Sequence, residues 1–225
     1  MATIAEEKNR VVAVNEHRFL NIVKRPIVLA LAAAYFGIVG INFGLSFFLP
    51  QIVRNFNLSL VQVGLVAAIP FAFGGFGMIW WGRRSDRHDE RRFHVLFPMA
   101  LAVLGLGGST LVAAPLGKLA LLCLASFGVF STLPIFWTLL LGLLGPAVLA
   151  IGFAAINSLG NLSGFAAPYV VGVIKDASGS TAGGLQVIAA YGVIAWLILA
   201  AVIRHHRTRY AQSRATPVLS KARNR

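Results

Sequence analysis

Four side chains that can hydrogen-bond or stack interrupt long apolar stretches of this sequence. Asn157 and Asn161 are four residues apart, so a helix places both carboxamides on one face. Asn42 lies in the first apolar stretch, and Trp137 closes the segment LPIFW. Carboxamides donate and accept hydrogen bonds, and an indole donates one through its N–H. These residue types indicate non-covalent binding of a small polar molecule, not the making and breaking of bonds.

The same residues have a structural alternative. At membrane depth a polar side chain has to face a partner or a water-filled cavity. An asparagine can meet this need by bonding a neighbouring helix, and a tryptophan can lie in the aromatic belt where a membrane meets water. The functional alternative is a polar cavity lined by the first, fourth and fifth apolar stretches. The residues predicted to line it and contact a substrate are Asn157, Trp137, Asn161 and Asn42.

Bond-making chemistry has little support in the sequence. It contains no GxxxxGK[ST] phosphate-binding loop and no HExxH metal motif. Its single cysteine, Cys123, cannot form an intrachain disulfide or a thiolate metal cluster. We therefore predict no catalytic residues, no cofactor and no metal ion, and we do not expect an enzyme.

A second group of polar residues forms the short charged segment WWGRRSDRHDERRFH at residues 80–94. It contains eight formal charges, five of them arginines, and the chain on either side is almost free of charge. Asp86 can pair with these arginines, or it can face a helix N-terminus, where an anion is stabilised by about 0.3–1 kcal/mol. The alternative is a solvated loop whose weak salt bridges contribute little.

The composition indicates an integral membrane protein. The chain has 225 residues, of which 57% are hydrophobic and 12% charged, whereas about 25% are charged in soluble domains. The net charge of +13 would suit a nucleic-acid-binding protein. However, the basic residues lie at the ends of apolar stretches and form no basic face. We therefore predict a lipid bilayer as the surroundings, and no nucleic-acid partner.

The apolar stretches predict six spans in an all-α fold, because a spanning helix needs about 20 apolar residues. Residues 119–174 contain no Lys, Arg, Asp, Glu or His, and the breakers in LGLLGP at 141–146 divide this stretch into two spans. A kink is expected near Pro168. The predicted divisions are an N-terminal segment at 1–25, a six-span bundle at 26–203 with spans at 26–48, 61–81, 95–114, 118–140, 147–174 and 185–203, and a basic tail at 204–225.

The basic residues orient these six spans. Five Lys and Arg lie in the N-terminal segment, five in the loop after the second span and seven in the tail, all on one side of the membrane. The opposite side has Arg54, Lys118 and Lys175. Loops rich in Lys and Arg remain in the cytoplasm. The expected location is the cell membrane, with several spans and with both termini cytoplasmic.

The segment GRRSDRHDERR resembles the signature loop of the major facilitator superfamily. That pattern is Gly, two variable residues, a small residue, Asp-Arg, two further residues and a basic pair. Asp89 stands where the family often has Gly. The resemblance implies a conformational-switch loop that holds one end state of a transport cycle. The matching residues are Gly82, Ser85, Asp86, Arg87, Arg91 and Arg92.

Further stretches are similar to the C-terminal six-helix half of the anion:cation symporter branch, which includes tartrate, galactonate and phthalate permeases. This likeness extends over residues 15–203. It implies that Trp137 and Asn157 line a substrate cavity, and it leaves the role of Asn42 less certain because relatives often have a Tyr there. The stretches are GLSFFLPQIVRNF at 44–56, IPFAFGGFGMIWWGRRSDR at 69–87, LPIFW at 133–137 and INSLGNLSGFAAPYVVG at 156–172.

The resemblance implies secondary active transport of a small organic anion, a sugar acid or a dicarboxylate, together with protons. The full carrier of this family has twelve spans in two halves, with the substrate site between them. The present chain then corresponds to the second half, and its partner is an N-terminal half that this sequence lacks. Two alternatives stay open: a half that dimerises with itself, and a membrane protein that transports nothing, either a remnant or a sensor.

Overall fold

The computed structural model describes residues 20–54, 56 and 58–222, and the side chains of these residues except 146, 147 and 207–222. Most of the predicted N-terminal segment, and the side chains of most of the basic tail, therefore lie outside the described residues. Within them the chain is helical and contains no strand. The helices are α1 (Pro26–Arg54), α2 (Leu60–His88), α3 (Arg92–Ser109), α4 (Pro115–Leu143), α5 (Pro146–Asn161), α6 (Ser163–Ser178) and α7 (Ala182–Ala222).

Local sequence signals explain where several helices begin. Ser59 and Gln62 form a capping box at the start of α2, in which each side chain accepts a hydrogen bond from the other residue's backbone N–H. Pro115 and Pro146 are the first residues of α4 and α5, where a missing backbone N–H costs nothing. These two prolines therefore mark the starts of α4 and α5.

Six helical segments are long and apolar enough to cross a membrane. Five are α1, α2, α3, α4 and the part of α7 from Ala182 to His206, and the sixth combines α5 and α6 over Val148–Ser178. The prediction of an all-α, six-span polytopic protein is thereby confirmed. The combined span is interrupted at Leu162, whose turn separates Asn161 from Ser163. The interruption thus lies before the kink expected near Pro168, a residue that the structure places inside α6.

Small residues let the spans approach closely, and Gly160 and Gly164 are two of them. A Cβ atom on Gly160 would lie 2.2 Å from Cδ1 of Tyr35, and one on Gly164 would lie 2.7 Å from the ring of Phe43. The tightest contacts between helix backbones, however, involve other residues. A Cβ atom on Gly128 of α4 would lie 2.4 Å from the carbonyl oxygen of Pro98, so α3 and α4 contact each other backbone to backbone.

The residues between the second and third predicted spans, 82–94, were expected to form a loop. Most of them are helical, so the connecting turn is shorter than predicted. α2 continues to His88, α3 begins at Arg92, and three residues connect them. Gly82, Asp86 and Arg87 therefore lie on the last turns of α2. The helix ends at Asp89 because this residue adopts a left-handed conformation, with φ of 46°, and the N–H of Glu90 then bonds the carbonyl of Ser85 at 3.4 Å.

Replacing Asp89 with glycine is expected to stabilise the protein. A left-handed conformation costs an L-residue about 1 kcal/mol, and glycine avoids this cost. We expect D89G to raise the melting temperature in detergent by about 2–4 °C. D89A keeps the cost and loses the polar side chain, so it is the matched control and should not melt above the wild type. A D89G protein that melts below the wild type would contradict this explanation.

Candidate functional site

Four aromatic rings from α1, α4 and α5 form one contact group, here called the aromatic cluster: Tyr35, Phe136, Trp137 and Phe153. The ring of Tyr35 stacks on Phe136 at 5.2 Å and meets the edge of Trp137 at 4.8 Å between centroids. Phe153 of α5 also contacts Trp137, at 4.8 Å between centroids. Trp137 is therefore held between α1 and α5, with its indole only partly buried.

The two asparagines of α5 lie on the helix face that packs beside this cluster. Phe153, Asn157 and Gly160 recur at helical spacing, and Gly160 lies under the ring of Tyr35. Asn161 Nδ2 donates to the backbone oxygen of Asn157 at 2.8 Å and to its Oδ1 at 2.9 Å. Both side chains are exposed. The Nδ2 group of Asn157 has no acceptor within the described part of the chain and is available to a ligand.

Asn42 lies apart from the aromatic cluster. It is seven residues after Tyr35 on α1, or about 10 Å along the helix axis. Its side chain is partly buried, and its Oδ1 atom is buried without a hydrogen-bond partner among the described residues. Ser163, directly after the interruption of the fifth span, packs near Gly40 and also has an unpartnered hydroxyl. Asn42 thus lies in a second polar region, closer than Tyr35 to the C-terminal end of α1.

The sequence predicts Asn157, Asn161 and Trp137 as parts of one site, and the structure adds aromatic residues that were not among the predicted site residues. Phe153 is four residues before Asn157, so helical spacing alone places the two side chains on the same face of α5. Tyr35 shares the face of α1 that includes Asn42, although only the packing over Gly160 shows that it touches Trp137. The sequence did not single out Ser163, because the helix interruption before it falls at a leucine, Leu162, and not at a proline or glycine.

The charged residues between α2 and α3 form a second site, at one end of the bundle. Arg91 forms a salt bridge with Asp86 and donates to the hydroxyl of Ser85 at 3.1 Å. Ser85 in turn donates to the carbonyl of Glu90 at 2.8 Å. Of the two roles expected for Asp86, pairing with an arginine is the one observed. The side chain of Asp86 remains 67% exposed. Arg87 and Arg92 are also exposed, so this site presents charge outward.

Glu90, not Asp86, occupies the N-terminus of a helix. Its carboxylate accepts hydrogen bonds from the backbone N–H groups of Arg92 at 2.7 Å, Phe93 at 2.9 Å and His94 at 3.3 Å, and from Nδ1 of His94 at 3.0 Å. Partial burial alone would raise the pKa of Glu90, but these hydrogen bonds outweigh it and lower the pKa below its ordinary value. The carboxylate caps α3.

The shifted pKa of Glu90 predicts a dependence of stability on pH. A carboxyl whose pKa is lowered by folding stabilises the fold above its unfolded pKa of about 4.3, and this contribution disappears as the pH falls through the lower folded value. We expect the melting temperature to decline below about pH 4.3. The variant E90Q should melt lower than the wild type at pH 7 and show a smaller decline in acid. Equal declines in both proteins would contradict the role of Glu90.

A buried tryptophan fixes the charged site to the bundle. The indole N–H of Trp81 donates to the carbonyl of His94 at 2.8 Å, and its ring stacks on Phe97 at 5.4 Å between centroids. The neighbouring Trp80 is about half exposed. The end of α2 and the start of α3 are therefore joined by one buried hydrogen bond, which keeps the charged turn in a fixed position.

Comparison with known proteins identifies relatives of this chain. A sequence profile described as Major Facilitator Superfamily matches residues 3–168. A putative tartrate transporter of Agrobacterium vitis is 40% identical over 172 residues, which are 76% of this chain and 40% of that protein. A second putative tartrate transporter of the same organism is 39% identical over 72% of the chain and 36% of its own length. The chain spans less than half the length of these relatives.

A third relative is named for a different class of compound. A quinolone resistance transporter of Acinetobacter baumannii is 34% identical over 84% of this chain and 44% of its own length. All three relatives are named as transporters, and their named substrates differ.

Proposed function

Because this chain belongs to the major facilitator superfamily, we propose that it is the second half of a twelve-span secondary transporter. The assembled carrier moves a small organic anion, a sugar acid or a dicarboxylate, across the cell membrane together with protons. The likeness to two tartrate transporters supports this class of substrate. The partner of the chain is an N-terminal half with six further spans.

The structural support for substrate binding is the exposed amide of Asn157, which lies one helical turn after Phe153, whose ring contacts the partly buried indole of Trp137. An amide N–H donates to a carboxylate, and a neighbouring aromatic ring covers the carbon skeleton of the substrate. Asn161 orients the amide of Asn157 by donating to its Oδ1. Asn42, about 10 Å farther along α1, contacts the far end of a longer substrate. These four residues are proposed to form the contribution of this chain to the binding site.

The coupling protons require titratable groups, and this half offers none near Asn157. Residues 119–174 contain no Lys, Arg, Asp, Glu or His, although proton relays within membranes use such groups. We therefore assign proton coupling, and the cation that balances the charge of the substrate, to the partner half. The binding site lies between the two halves, near the middle of the membrane.

The surface of α2 is suited to contact with the partner half. Only 28% of the residues in the most apolar part of α2 are buried within this chain, and Phe73 and Phe76 are more than half exposed. Added Cβ atoms on Gly64, Gly75 and Gly82 would meet nothing within 4 Å. A face with both aromatic and small residues permits close packing of another helix.

The basic residues support a proposed orientation in the membrane. Arg25, Arg91 and Arg92 lie at the end of the bundle that also includes the start of α1. Loops rich in Arg and Lys stay in the cytoplasm. We therefore propose that this end, with both termini, is cytoplasmic.

We propose that the charged site acts as a latch between the two halves. Gly82, Asp86 and Arg87 occupy the end of α2, while Arg91 and Arg92 flank the start of α3. Asp86 is paired with Arg91, yet its exposed carboxylate can accept further hydrogen bonds from a helix N-terminus of the partner half. This contact would stabilise the end state in which the cytoplasmic side is closed.

The variant D86N tests the latch in the assembled carrier. Asparagine keeps the size of the side chain but removes its charge, so we expect normal insertion and a rate of uptake about 10-fold lower, since a charge-assisted hydrogen bond contributes about 1.5–3 kcal/mol. D89N removes a charge three residues away and is the matched control. Uptake by D86N at the rate of D89N would contradict the latch.

The function as a whole is tested by joining this chain to the first half of the Agrobacterium vitis tartrate transporter and measuring tartrate uptake. We expect uptake that requires both halves and a proton gradient. Uptake by the chain alone would instead support a half that dimerises with itself. An inserted, stable fusion that takes up neither tartrate nor a sugar acid would contradict the proposal.

A further inference from the structure

We propose that Trp81 is a positioning residue for the latch. It acts through the hydrogen bond from its indole N–H, on α2, to the backbone carbonyl of His94, on α3, at 2.8 Å. This bond is here called the tether. The inference rests on the latch of the proposed function, and it adds that the latch works only while α2 and the start of α3 stay joined at this point.

Pro98 explains why the carbonyl of His94 is free to accept this bond. In an α-helix the carbonyl of residue 94 accepts a hydrogen bond from the N–H of residue 98. Residue 98 is a proline inside α3, and proline has no backbone N–H. The indole of Trp81 supplies the missing donor. Because Trp81 and His94 are both buried, loss of the indole would leave this carbonyl without its partner and away from water.

A second indole donates to α3, and its setting differs in a useful way. Trp196 of α7 donates to the carbonyl of Leu96 at 2.9 Å. The residue four positions after Leu96 is Ala100, which has a backbone N–H and lies in the same helix. The carbonyl of Leu96 therefore has a backbone donor of its own, and its bond to Trp196 does not involve α2. The tether differs because Pro98 leaves it no backbone substitute.

The starting turn of α3, residues 90–94, connects the tether to the arginine of the latch. The carboxylate of Glu90 accepts hydrogen bonds from three backbone N–H groups of this turn and from the ring of His94. These contacts fix the residues of the turn to one another. Arg91 lies within the turn and forms the salt bridge with Asp86 of α2. Movement of the turn against α2 therefore changes the contact between Arg91 and Asp86.

The ring of Trp81 also packs in the bundle, and phenylalanine separates this packing from the tether. The centroid of the ring lies 5.1 Å from that of His94, 5.4 Å from that of Phe97 and 6.4 Å from that of Phe127 on α4. W81F keeps an aromatic ring among these neighbours but removes the N–H donor. Its effect therefore reports mainly on the tether.

The first measurement is tartrate uptake by the fusion carrier, corrected for the amount in the membrane. We expect W81F to lower kcat about 10-fold, the effect of leaving a buried carbonyl without a partner. KM should change little, because the charged site does not include the residues proposed to bind substrate. W81F combined with D86N should be no slower than D86N alone, since both changes disable one latch. W196F is the matched control and should transport like the wild type.

A compensating change separates positioning from stability. P98A restores a backbone N–H at residue 98, which can bond the carbonyl of His94 within α3. W81F combined with P98A should therefore regain the thermal stability that W81F loses, yet its uptake should stay as slow as that of W81F. If uptake recovered as well, Trp81 would serve only to satisfy a carbonyl, and the proposal would be overturned.

A reporter thiol tests the tether in the full chain without the partner half. Ser85 is fully buried where α2 contacts the starting turn of α3, so S85C in a C123A background places a single thiol there. A water-soluble maleimide should label it at least 10-fold faster when W81F is added, with or without P98A, and no faster when W196F is added. Equal labelling rates in all these proteins would overturn the proposal. A wild-type fusion that inserts but takes up no anion would contradict the proposed function instead.

Discussion

Replacing Asn157 by alanine is expected to lower the kcat/KM of uptake by the assembled carrier about 10- to 100-fold. The exposed amide is the group proposed to donate to the substrate, and a hydrogen bond to a charged ligand contributes about 1.5–3 kcal/mol. Little of this loss should come from misfolding, because Asn157 is exposed and Asn161 keeps its hydrogen bond to the backbone oxygen of residue 157. Uptake kinetics of the fusion carrier, corrected for the amount in the membrane, measure the effect.

Ser158 provides the matched control for this variant. It is the next residue on α5 and is also exposed, but it points about 100° away around the helix axis. S158A should therefore transport like the wild type. W137F should be intermediate, since it keeps a ring between Tyr35 and Phe153 but loses the indole N–H. If N157A and S158A transported equally well, Asn157 would have only a structural role between helices.

Replacing Gly128 by valine is expected to destabilise the fold more than any other single change considered for this chain. An added Cβ atom would lie 2.4 Å from both the carbonyl oxygen of Pro98 and the backbone nitrogen of Ala102. Backbone atoms cannot rotate away as a side chain can, so α3 and α4 would have to separate. Overpacking of this kind costs about 3 kcal/mol. We expect the melting temperature to fall by about 10 °C.

Gly142 is the control on the same helix. A Cβ atom added there would meet nothing within 4 Å, and alanine is a better helix former than glycine by about 1 kcal/mol. G142A should therefore melt at or slightly above the temperature of the wild type. A G128V protein that melts within 2 °C of G142A would contradict the backbone contact between α3 and α4.

The spans were predictable because each depends on a local property. A stretch of about 20 apolar residues indicates a membrane helix without knowledge of its neighbours. The position of the turn after α2 was not predictable in this way. Charge ended the predicted span at Trp81, but charged residues form helices readily, and α2 ends only where Asp89 becomes left-handed. Hydropathy thus locates the membrane segment of a helix and misses its polar extension.

The candidate site was predictable in part. The spacing of Asn157 and Asn161 places them on one helix face whatever the tertiary structure. The contact of Trp137 with Tyr35 and Phe153 depends on how α1, α4 and α5 pack, and no local rule supplies that arrangement. The interruption at Leu162 was also missed, because sequence reasoning assigned the irregularity to Pro168. Tertiary packing determines both features.

Substrate protection of a cysteine at position 157 tests the central claim most directly. Cys123 is the chain's single cysteine, so N157C in a C123A background gives one reactive thiol in this half of the fusion carrier. A water-soluble maleimide should label it, and a saturating transported anion should slow this labelling at least 10-fold, while labelling of S158C stays unchanged. Labelling of N157C at the same rate with and without a saturating transported anion would show that Asn157 does not line the substrate site.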